Sequence, residues 1–171
     1  MKKITAPLDK KQIQSLKSGE EVLLSGFIFT ARDQAHKRLI KSKKFPFDLR
    51  GAVIYYCGAT KTPKGKVIGS CGPTTSSRMD IFTPALLKKG LMGMIGKGRR
   101  SKEVAAQIKK HGAVYFLAHA GCGALITKYV KKATPVAYRD LGPEAIMRLE
   151  VIDLPLIVGI DAKGRNIYGT D

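Results

Sequence analysis

The chain has 171 residues, of which 44% are hydrophobic and 26% charged, and its formal net charge is +18. This composition is typical of one globular domain and excludes a disordered chain. No apolar run approaches the roughly 18 residues that cross a membrane, and the start Met1-Lys2-Lys3-Ile4 has no apolar secretory region. We therefore expect a single domain over residues 1–171, located in the cytoplasm. The positive charge favours an anionic ligand or partner.

Three cysteines, Cys57, Cys71 and Cys122, are too few and too scattered to predict a disulfide framework. No CxxC pair is present, so no zinc site is predicted. Three thiolates could in principle hold an iron–sulfur cluster. Their strand and glycine-turn neighbours are instead typical of buried free thiols, so we expect no metal on this chain.

The first thirty residues carry short apolar patterns separated by turn residues. They first predict a strand at Ile4. A short helix follows, capped by Asp9 and ending at Gly19, with Ile13 and Leu16 buried. The next element is a strand over 21–30 with a β-bulge expected at Gly26.

A polar run, Thr30-Ala31-Arg32-Asp33-Gln34-Ala35-His36-Lys37-Arg38, follows that strand and opens a helix. The junction between a strand and a helix is a favoured location for functional residues. Arg32 stands at this junction and is a candidate anion ligand. His36 is a second-rank candidate, because a single helical histidine more often packs than reacts.

The stretch from Gly69 to Asp80 is the most informative part of the chain. It contains two glycines, a proline, and hydroxyl residues including Thr74 and Thr75, followed by Arg78. This composition predicts a turn that opens a helix, with Thr74, Thr75 or Ser76 as N-cap. The free N–H groups of a helix start attract anions, and an arginine adds a planar donor pair. The alternative is an ordinary capped helix start with a solvated arginine.

After residue 50 the pattern alternates between strands and helices, which predicts an α/β fold with a mixed sheet and packed helices. The strands are predicted over 52–58, 66–68, 91–96, 113–117, 136–138 and 154–160, and the helices over 76–90, from the N-cap Ser101, over 122–131 and over 143–149 with Pro143 at its first position.

Two further turns carry candidate residues. Gly-Lys-Gly-Arg-Arg over 96–100 precedes a helix, and its glycines leave room for an anion at Lys97, although a plain basic loop has the same composition. His119 opens the small-residue turn His119-Ala120-Gly121-Cys122-Gly123. It can serve either as the wall of a site or as a core residue.

Together and in this order, the motifs over 30–38, 72–80 and 96–100 resemble the β subunit, or C-terminal domain, of class I iron–sulfur fumarate hydratases and L(+)-tartrate dehydratases. The Tyr55-Tyr56-Cys57-Gly58-Ala59-Thr60 segment and the His119 turn are also similar to this family. The resemblance covers nearly the whole chain. The first two motifs are long enough to be specific, whereas the lysine turn is weaker alone.

The resemblance implies a swivelling β/β/α domain that acts with an α subunit in an α2β2 assembly. That α subunit would carry a [4Fe–4S] cluster on three cysteines. The implied reaction is reversible hydration of fumarate to (S)-malate, or the related dehydration of tartrate, and the motifs serve either substrate. The isolated chain is expected to be inactive.

The same resemblance implies active-site roles for a small set of residues. These are Arg32, Arg78 and Lys97 as substrate ligands and Thr74 as candidate base. Thr75, His36 and His119 are second-rank candidates from the residues themselves. A dicarboxylate needs two cationic anchors, and cations also stabilise the dianion formed when the proton beside a carboxylate is removed. Because a free hydroxyl is a very weak base, Thr74 has the alternative role of donating a hydrogen bond to substrate.

Two other function classes compete with this interpretation. The net charge of +18 is compatible with a basic RNA-binding module, but only 7% of residues are aromatic and no RNA-binding signature is present. A phosphate or nucleotide binder could use the same helix start, but a P-loop and a GxGxxG motif after a strand are missing. We therefore expect a small dicarboxylate substrate and neither a nucleic acid nor a membrane as partner.

Overall fold

The computed structural model describes residues 1–119 and 121–169, so Ala120 of the His119 turn and residues 170–171 lie outside the described residues. The strands are β1 (Lys2–Ala6), β2 (Glu21–Thr30), β3 (Val53–Tyr55), β4 (Gly93–Gly96), β5 (Val114–Leu117), β6 (Val130–Ala137) and β7 (Ile146–Ile160). The α-helices are α1 (Lys10–Gln14), α2 (Asp33–Lys41), α3 (Thr83–Lys88), α4 (Lys102–His111) and α5 (Gly123–Ile126). Short 3₁₀-helices span Ser76–Met79, Thr127–Tyr129 and Arg139–Glu144. Within the described ranges, every helix is too short or too polar to span a membrane.

The seven strands form one mixed sheet in the order β1-β2-β3-β4-β5-β7-β6. Neighbours from β1 to β5 are parallel, whereas β7 runs antiparallel to β5 and β6. β7 also pairs with β2, so β2, β3, β4, β5 and β7 close into a barrel. The α/β class is thus confirmed, and the barrel closure is a feature that the sequence patterns did not indicate.

Alternation along the barrel strands separates two hydrophobic clusters. On β3, Val53 and Tyr55 join the cluster shared by all five barrel strands, which fills the barrel. The intervening Ile54 packs with Leu39 of α2, Leu86 of α3 and other apolar residues of the helical layer. Both faces of β3 are therefore buried, and its carboxyl end is fixed between two packed layers.

Local signals in the sequence predicted several of these elements correctly. The Asp9 carboxylate accepts from the Gln12 N–H at 2.7 Å and completes a capping box at α1. The Ser101 hydroxyl accepts from the Val104 N–H at 3.2 Å and caps α4. At Gly26 the β2–β7 register shifts, φ is +102°, and an added Cβ would lie 2.1 Å from the Ala6 carbonyl oxygen, so the bulge requires glycine.

Two predictions around residue 70 are wrong. In the described chain, residues 66–68 do not form a strand, and Val67 is 48% exposed. β3 and β4 already pair with each other, so this segment has no free strand edge beside them. The predicted helix 76–90 is divided into a 3₁₀-helix and α3, because Pro84 lies in the first turn of α3 and lacks the N–H that a continuous helix needs.

The carboxyl-terminal region departs furthest from the sequence patterns. The predicted helix 122–131 is limited to α5 and a 3₁₀ turn, and the predicted helix 143–149 is wrong because β7 begins at Ile146. The predicted strands 136–138 and 154–160 are the ends of the longer β6 and β7. Cross-strand pairing of β7 with β6 and β2 supplies hydrogen bonds that outweigh local helix preference.

Candidate active site

Loops from three adjacent strands leave the same edge of the barrel. β2 ends just before Arg32, β3 leads into Gly58, and β4 ends just before Lys97. Since β3 pairs in parallel with both β2 and β4, these loops emerge side by side. The carboxyl ends of parallel strands commonly carry functional sites, because several loops converge there.

The elbow, which we define as residues 72–80, lies between two of these loops. The Thr74 N–H donates to the Tyr56 carbonyl oxygen at 2.6 Å, and the Ser76 N–H donates to the Lys97 carbonyl oxygen at 3.0 Å. Thr75 and Lys97 also form a parallel β-bridge. The fold therefore brings the hydroxyl-rich motif and the lysine turn into direct backbone contact.

A buried tyrosine connects the elbow and the lysine turn through side-chain contacts. The Tyr115 hydroxyl on β5 lies 2.8 Å from the Ser76 hydroxyl and 2.8 Å from the Gly98 carbonyl oxygen. Close packing adds to this connection, because a Cβ at Gly96 would lie 1.9 Å from the Ser76 hydroxyl oxygen. Any side chain at position 96 would push the elbow away from β4.

A buried ion pair fixes the end of the elbow. Arg100 Nε donates to Asp80 at 2.6 Å, and the other Asp80 carboxylate oxygen accepts from the Ser101 N–H at 2.7 Å. The Arg100 side chain is fully buried and its guanidinium lies near the rings of Tyr56 and Tyr115. From the sequence, Arg100 was assigned to a basic loop. The only signal of a partner was Asp80, the acidic residue that ends the elbow motif.

Two predicted arginines meet at one carboxylate. Arg78 Nε and Nη2 donate to the Asp33 carboxylate at 3.1 and 2.8 Å. Arg32 Nε lies 3.8 Å from the Asp33 Oδ2 atom that Arg78 also contacts. The Arg32 and Arg78 side chains are 28% and 51% exposed, so both guanidinium groups can meet a ligand. Sequence reasoning missed Asp33, although it directly follows Arg32.

Arg32 is held by packing rather than by hydrogen bonds. Its Nε lies 3.4 Å from a Glu144 carboxylate oxygen, yet this buried Nε has no hydrogen-bond partner among the described residues. A Cβ at Gly58 would lie 3.0 Å from Arg32 Cδ and 3.1 Å from Nη1. Glycine at 58 thus lets the guanidinium lie against the β3 loop. Two cations, Arg32 and Arg78, therefore lie against the Asp33 and Glu144 carboxylates. Lys97 is joined to the elbow through its backbone.

The elbow hydroxyls differ in their surroundings. Thr74 is partly buried, whereas Thr75 is exposed at the N-cap position of the 3₁₀-helix. Thr75 is thus one of the N-cap residues predicted from the sequence. Its side chain, however, does not make the capping hydrogen bond expected at that position. Both hydroxyls remain on the segment that lies between Tyr56 and Lys97.

His36 is part of the core of the helical layer. It is fully buried, and its Nδ1 lies 2.8 Å from the Arg32 carbonyl oxygen, which requires the neutral tautomer with a proton on Nδ1. Its Nε2 is buried without a hydrogen-bond partner in the described structure. Burial lowers the pKa of His36 to about 4, although the hydrogen bond to Arg32 opposes the change. His36 therefore supports the Arg32 backbone and does not reach the solvent.

This environment predicts an acid-sensitive fold. His36 has a pKa of about 6.5 in the unfolded chain and about 4 in the native protein. Between these two pH values the unfolded chain binds a proton at His36 and the native protein does not. The His36 contribution to stability is therefore complete above pH 6.5 and is lost as pH falls, by about 2 kcal/mol at pH 5. Urea unfolding of wild type and His36→Phe at pH 7.5 and 5 measures the difference. An equal pH-dependent loss in both proteins would contradict the prediction.

His119 lies at a different place in the described structure. Its exposed side chain lines a cavity of about 160 Å³ together with Met1, Glu21 and Ile157. Glu21 begins β2, whereas Arg32 follows the opposite end of that strand. The fold therefore does not bring His119, a second-rank candidate from the sequence, to Arg32 and Arg78.

The cysteines do not form a metal centre in the described part of the chain. No group of three or more His, Cys, Asp or Glu side chains there could hold a metal ion. Cys57 and Cys71 are buried, and Cys122 is partly buried.

Comparisons with known proteins identify the family of this chain. The sequence profile described as fumarase C-terminus matches residues 2–171. The provisionally named L(+)-tartrate dehydratase subunit beta of Methanocaldococcus jannaschii is 40% identical over 171 residues, covering 94% of this chain and 88% of that protein.

Two fumarate hydratases are also similar. Fumarate hydratase 2 of Leishmania major is 36% identical, covering 95% of this chain and 30% of that protein. The aerobic class I fumarate hydratase of Escherichia coli K12 is 36% identical, covering 98% of this chain and 31% of that protein. This chain thus spans less than a third of either enzyme. With a match over nearly every residue and relatives of 36–40% identity, the chain belongs to the fumarase C-terminus family.

Proposed function

We propose that this chain is the β subunit of a two-subunit iron–sulfur hydro-lyase that reversibly hydrates fumarate to (S)-malate in the cytoplasm. Its partner is a cluster-bearing α subunit in an α2β2 assembly, and the isolated chain is inactive. The observation that carries the proposal is the convergence of Arg32 and Arg78 on Asp33, next to the elbow. Relatives named as fumarate hydratases support the same substrate class.

Substrate binding uses donors that the two carboxylates leave available. Arg78 contacts Asp33 through Nε and Nη2, so its Nη1 is available to a substrate carboxylate. Arg32 faces Asp33 and Glu144 through Nε, and its side chain is 28% exposed, so its Nη groups are proposed to bind the same ligand. Lys97 supplies the third cation. Together they bind a dianion and stabilise the additional charge that develops when a proton next to a carboxylate is removed.

Thr74 is the residue proposed to act at the C3 proton of the substrate. Its backbone is fixed by the Tyr56 carbonyl oxygen, so the hydroxyl has a defined position. A nearby cluster of cations favours the deprotonated form of any hydroxyl, and so raises the fraction that can accept a proton at a given pH. If the proton is removed elsewhere, Thr74 donates a hydrogen bond to a substrate carboxylate.

The described residues of this chain do not fit an iron–sulfur cluster. Their histidine, cysteine and carboxylate side chains include no group of three that could hold a metal ion, and the thiols Cys57 and Cys71 are buried. We therefore assign the cluster to the α subunit, and no step of the chemistry described for this chain passes through it.

L(+)-tartrate is the alternative substrate. It is supported by the name of the relative from Methanocaldococcus jannaschii, of which this chain covers 88%. Tartrate is also a four-carbon dicarboxylate, so the same two arginines would bind its ends. Additional hydroxyl contacts would then distinguish it from malate.

The test is an assay of the chain co-expressed with the α subunit from the same genome, purified as a complex and loaded with iron and sulfide. We expect fumarate and (S)-malate to be interconverted by the complex and by neither subunit alone. Turnover of L(+)-tartrate without turnover of fumarate would replace the proposed substrate with the alternative. A loaded complex that converts neither compound would show the proposal to be wrong.

A further inference from the structure

A cavity of about 590 Å³ lies at the edge of the barrel opposite the candidate active site. Met92 directly precedes β4 and Gly112 lies two residues before β5, so the amino ends of these parallel strands form part of its wall. Lys97, by contrast, follows the carboxyl end of β4. The cavity is therefore separate from the elbow and from the two arginines that meet at Asp33.

Basic side chains from three separate parts of the chain line this cavity. Lys10 and Gln14 are four residues apart and share one face of α1, and Lys163 lies in the turn after β7. The last turn of α4 supplies the remaining basic residues. The basic lining residues are Lys10, Lys109, Lys110, His111 and Lys163. Among the residues that the structure describes, no carboxylate lines the cavity.

The positive charge of the cavity is not neutralised by the described part of the chain. None of its four lysine ammonium groups forms an ion pair or a hydrogen bond with a described residue. The nearest carboxylates along the sequence make other contacts. Asp9 accepts from the Gln12 N–H and caps α1. The buried Asp161 accepts from the Ser18 and Lys163 N–H groups. Clustered cations without an acidic partner attract anions from solution.

The end of α4 explains only part of this cluster. Three of the basic residues occupy its last turn, where cations interact favourably with the helix dipole. Lys10 and Lys163 belong to other elements, so the dipole of α4 does not account for their position at the same cavity. Packing holds these elements together, because a Cβ at Gly164 would lie 3.1 Å from Lys109 Cδ. The Lys109 stem is thus fixed against the turn that carries Lys163.

The lining favours a phosphate chain over other anions. Lysine ammonium groups bind phosphate as point charges, whereas planar recognition of carboxylates uses arginine, and no described arginine lines this cavity. The described lining also includes no aromatic ring, so a nucleobase would have no surface on which to stack. Sites for small ligands commonly span about 300–1,000 Å³, so the cavity has room for several linked phosphate groups.

We propose that this cavity is a binding site for the phosphate chain of a small polyphosphate, such as inorganic triphosphate or a nucleoside triphosphate. The phosphate oxygens accept hydrogen bonds from the lysine ammonium groups and from the Gln14 side-chain amide. Because the lining contacts phosphates and not a base, both forms bind with similar affinity. The site also gives part of the net charge of +18 a role. This proposal does not depend on the hydro-lyase function.

Isothermal titration calorimetry of the full chain with sodium triphosphate tests the proposal. We expect a single site per chain that binds triphosphate and magnesium-free ATP with similar affinity. Orthophosphate should bind at least about tenfold more weakly, because it brings fewer charges. Much tighter binding of ATP than of triphosphate would show that the nucleoside is recognised and would contradict the proposal. Tighter binding of a single-stranded RNA oligonucleotide, or no binding of triphosphate, would also overturn it.

Variants with an equal loss of charge separate this cavity from general attraction by the basic surface. Lys10→Gln combined with Lys163→Gln should weaken triphosphate binding about tenfold. Lys41→Gln combined with Lys43→Gln removes two exposed charges outside the cavity and should weaken it less than about twofold. Equal weakening by both pairs would show non-specific attraction. Arg78→Ala should bind triphosphate as the wild type does, and a loss there would place the ligand at the candidate active site instead.

Discussion

Replacing Arg78 with alanine is expected to lower kcat/KM of the assembled enzyme for its dicarboxylate substrate about a thousandfold. The substitution removes one of the cations that would bind the substrate and stabilise its additional charge. It also leaves the Asp33 carboxylate, which Arg78 contacts at 2.8 Å, free to repel a dianion. Steady-state kinetics of wild-type and variant complexes with equal cluster content measure the effect.

The chain offers a matched control for this substitution. Arg50 forms a similar exposed two-point contact with Asp48, away from the proposed site, and its side chain is 85% exposed. Arg50→Ala should change kcat/KM by less than about twofold, because Arg50 has no proposed contact with the substrate. Loss of an exposed ion pair also changes the stability of the fold very little. Arg78→Lys, which keeps the charge but loses the planar donor pair, should lie between wild type and Arg78→Ala. Normal turnover by Arg78→Ala would contradict the assignment.

Replacing Asp80 with alanine is expected to reduce the free energy of unfolding by about 3–5 kcal/mol. Arg100 has a side-chain exposure of 0%, so the variant leaves a guanidinium buried without its carboxylate. The Ser101 N–H loses its acceptor at the same time. Urea unfolding followed by circular dichroism measures the change. The loss should also loosen the elbow, because Asp80 connects it to the turn that follows β4.

Two further variants separate charge burial from simple loss of contacts. Asp48→Ala removes an exposed partner of Arg50 and should cost less than about 1 kcal/mol. Combining Asp80→Ala with Arg100→Met removes the unpaired buried charge, so the double variant should be more stable than Asp80→Ala alone. A double variant less stable than Asp80→Ala would show that the burial of the charge is not the cause.

Both predictions concern the way the elbow is built into the barrel. Arg78 stands at its exposed side and meets Asp33 on α2, while Asp80 turns inward to Arg100. One short segment therefore carries an exposed cation and anchors itself with a largely buried acid two residues later. This arrangement explains why a segment with only a 3₁₀-helix can hold a defined position at the edge of the sheet.

The sequence by itself determined the features whose causes are local. The helix caps at Asp9 and Ser101 and the bulge at Gly26 follow from contacts within a few residues or from the absence of a side chain. The motifs around Arg32 and Arg78 also identified the family, since they are long runs of particular residues. The roles proposed for individual residues in these motifs stay predictions.

Only the tertiary structure decided the features that depend on distant residues. β7 closes the barrel by pairing with β2 more than a hundred residues away, and that pairing replaces the helix predicted over 143–149. The meeting of Arg32 and Arg78 at Asp33 and the burial of Arg100 have the same origin. Local spacing cannot indicate such contacts, because the partner that satisfies a strand edge or a buried charge is chosen by the packing of the whole chain.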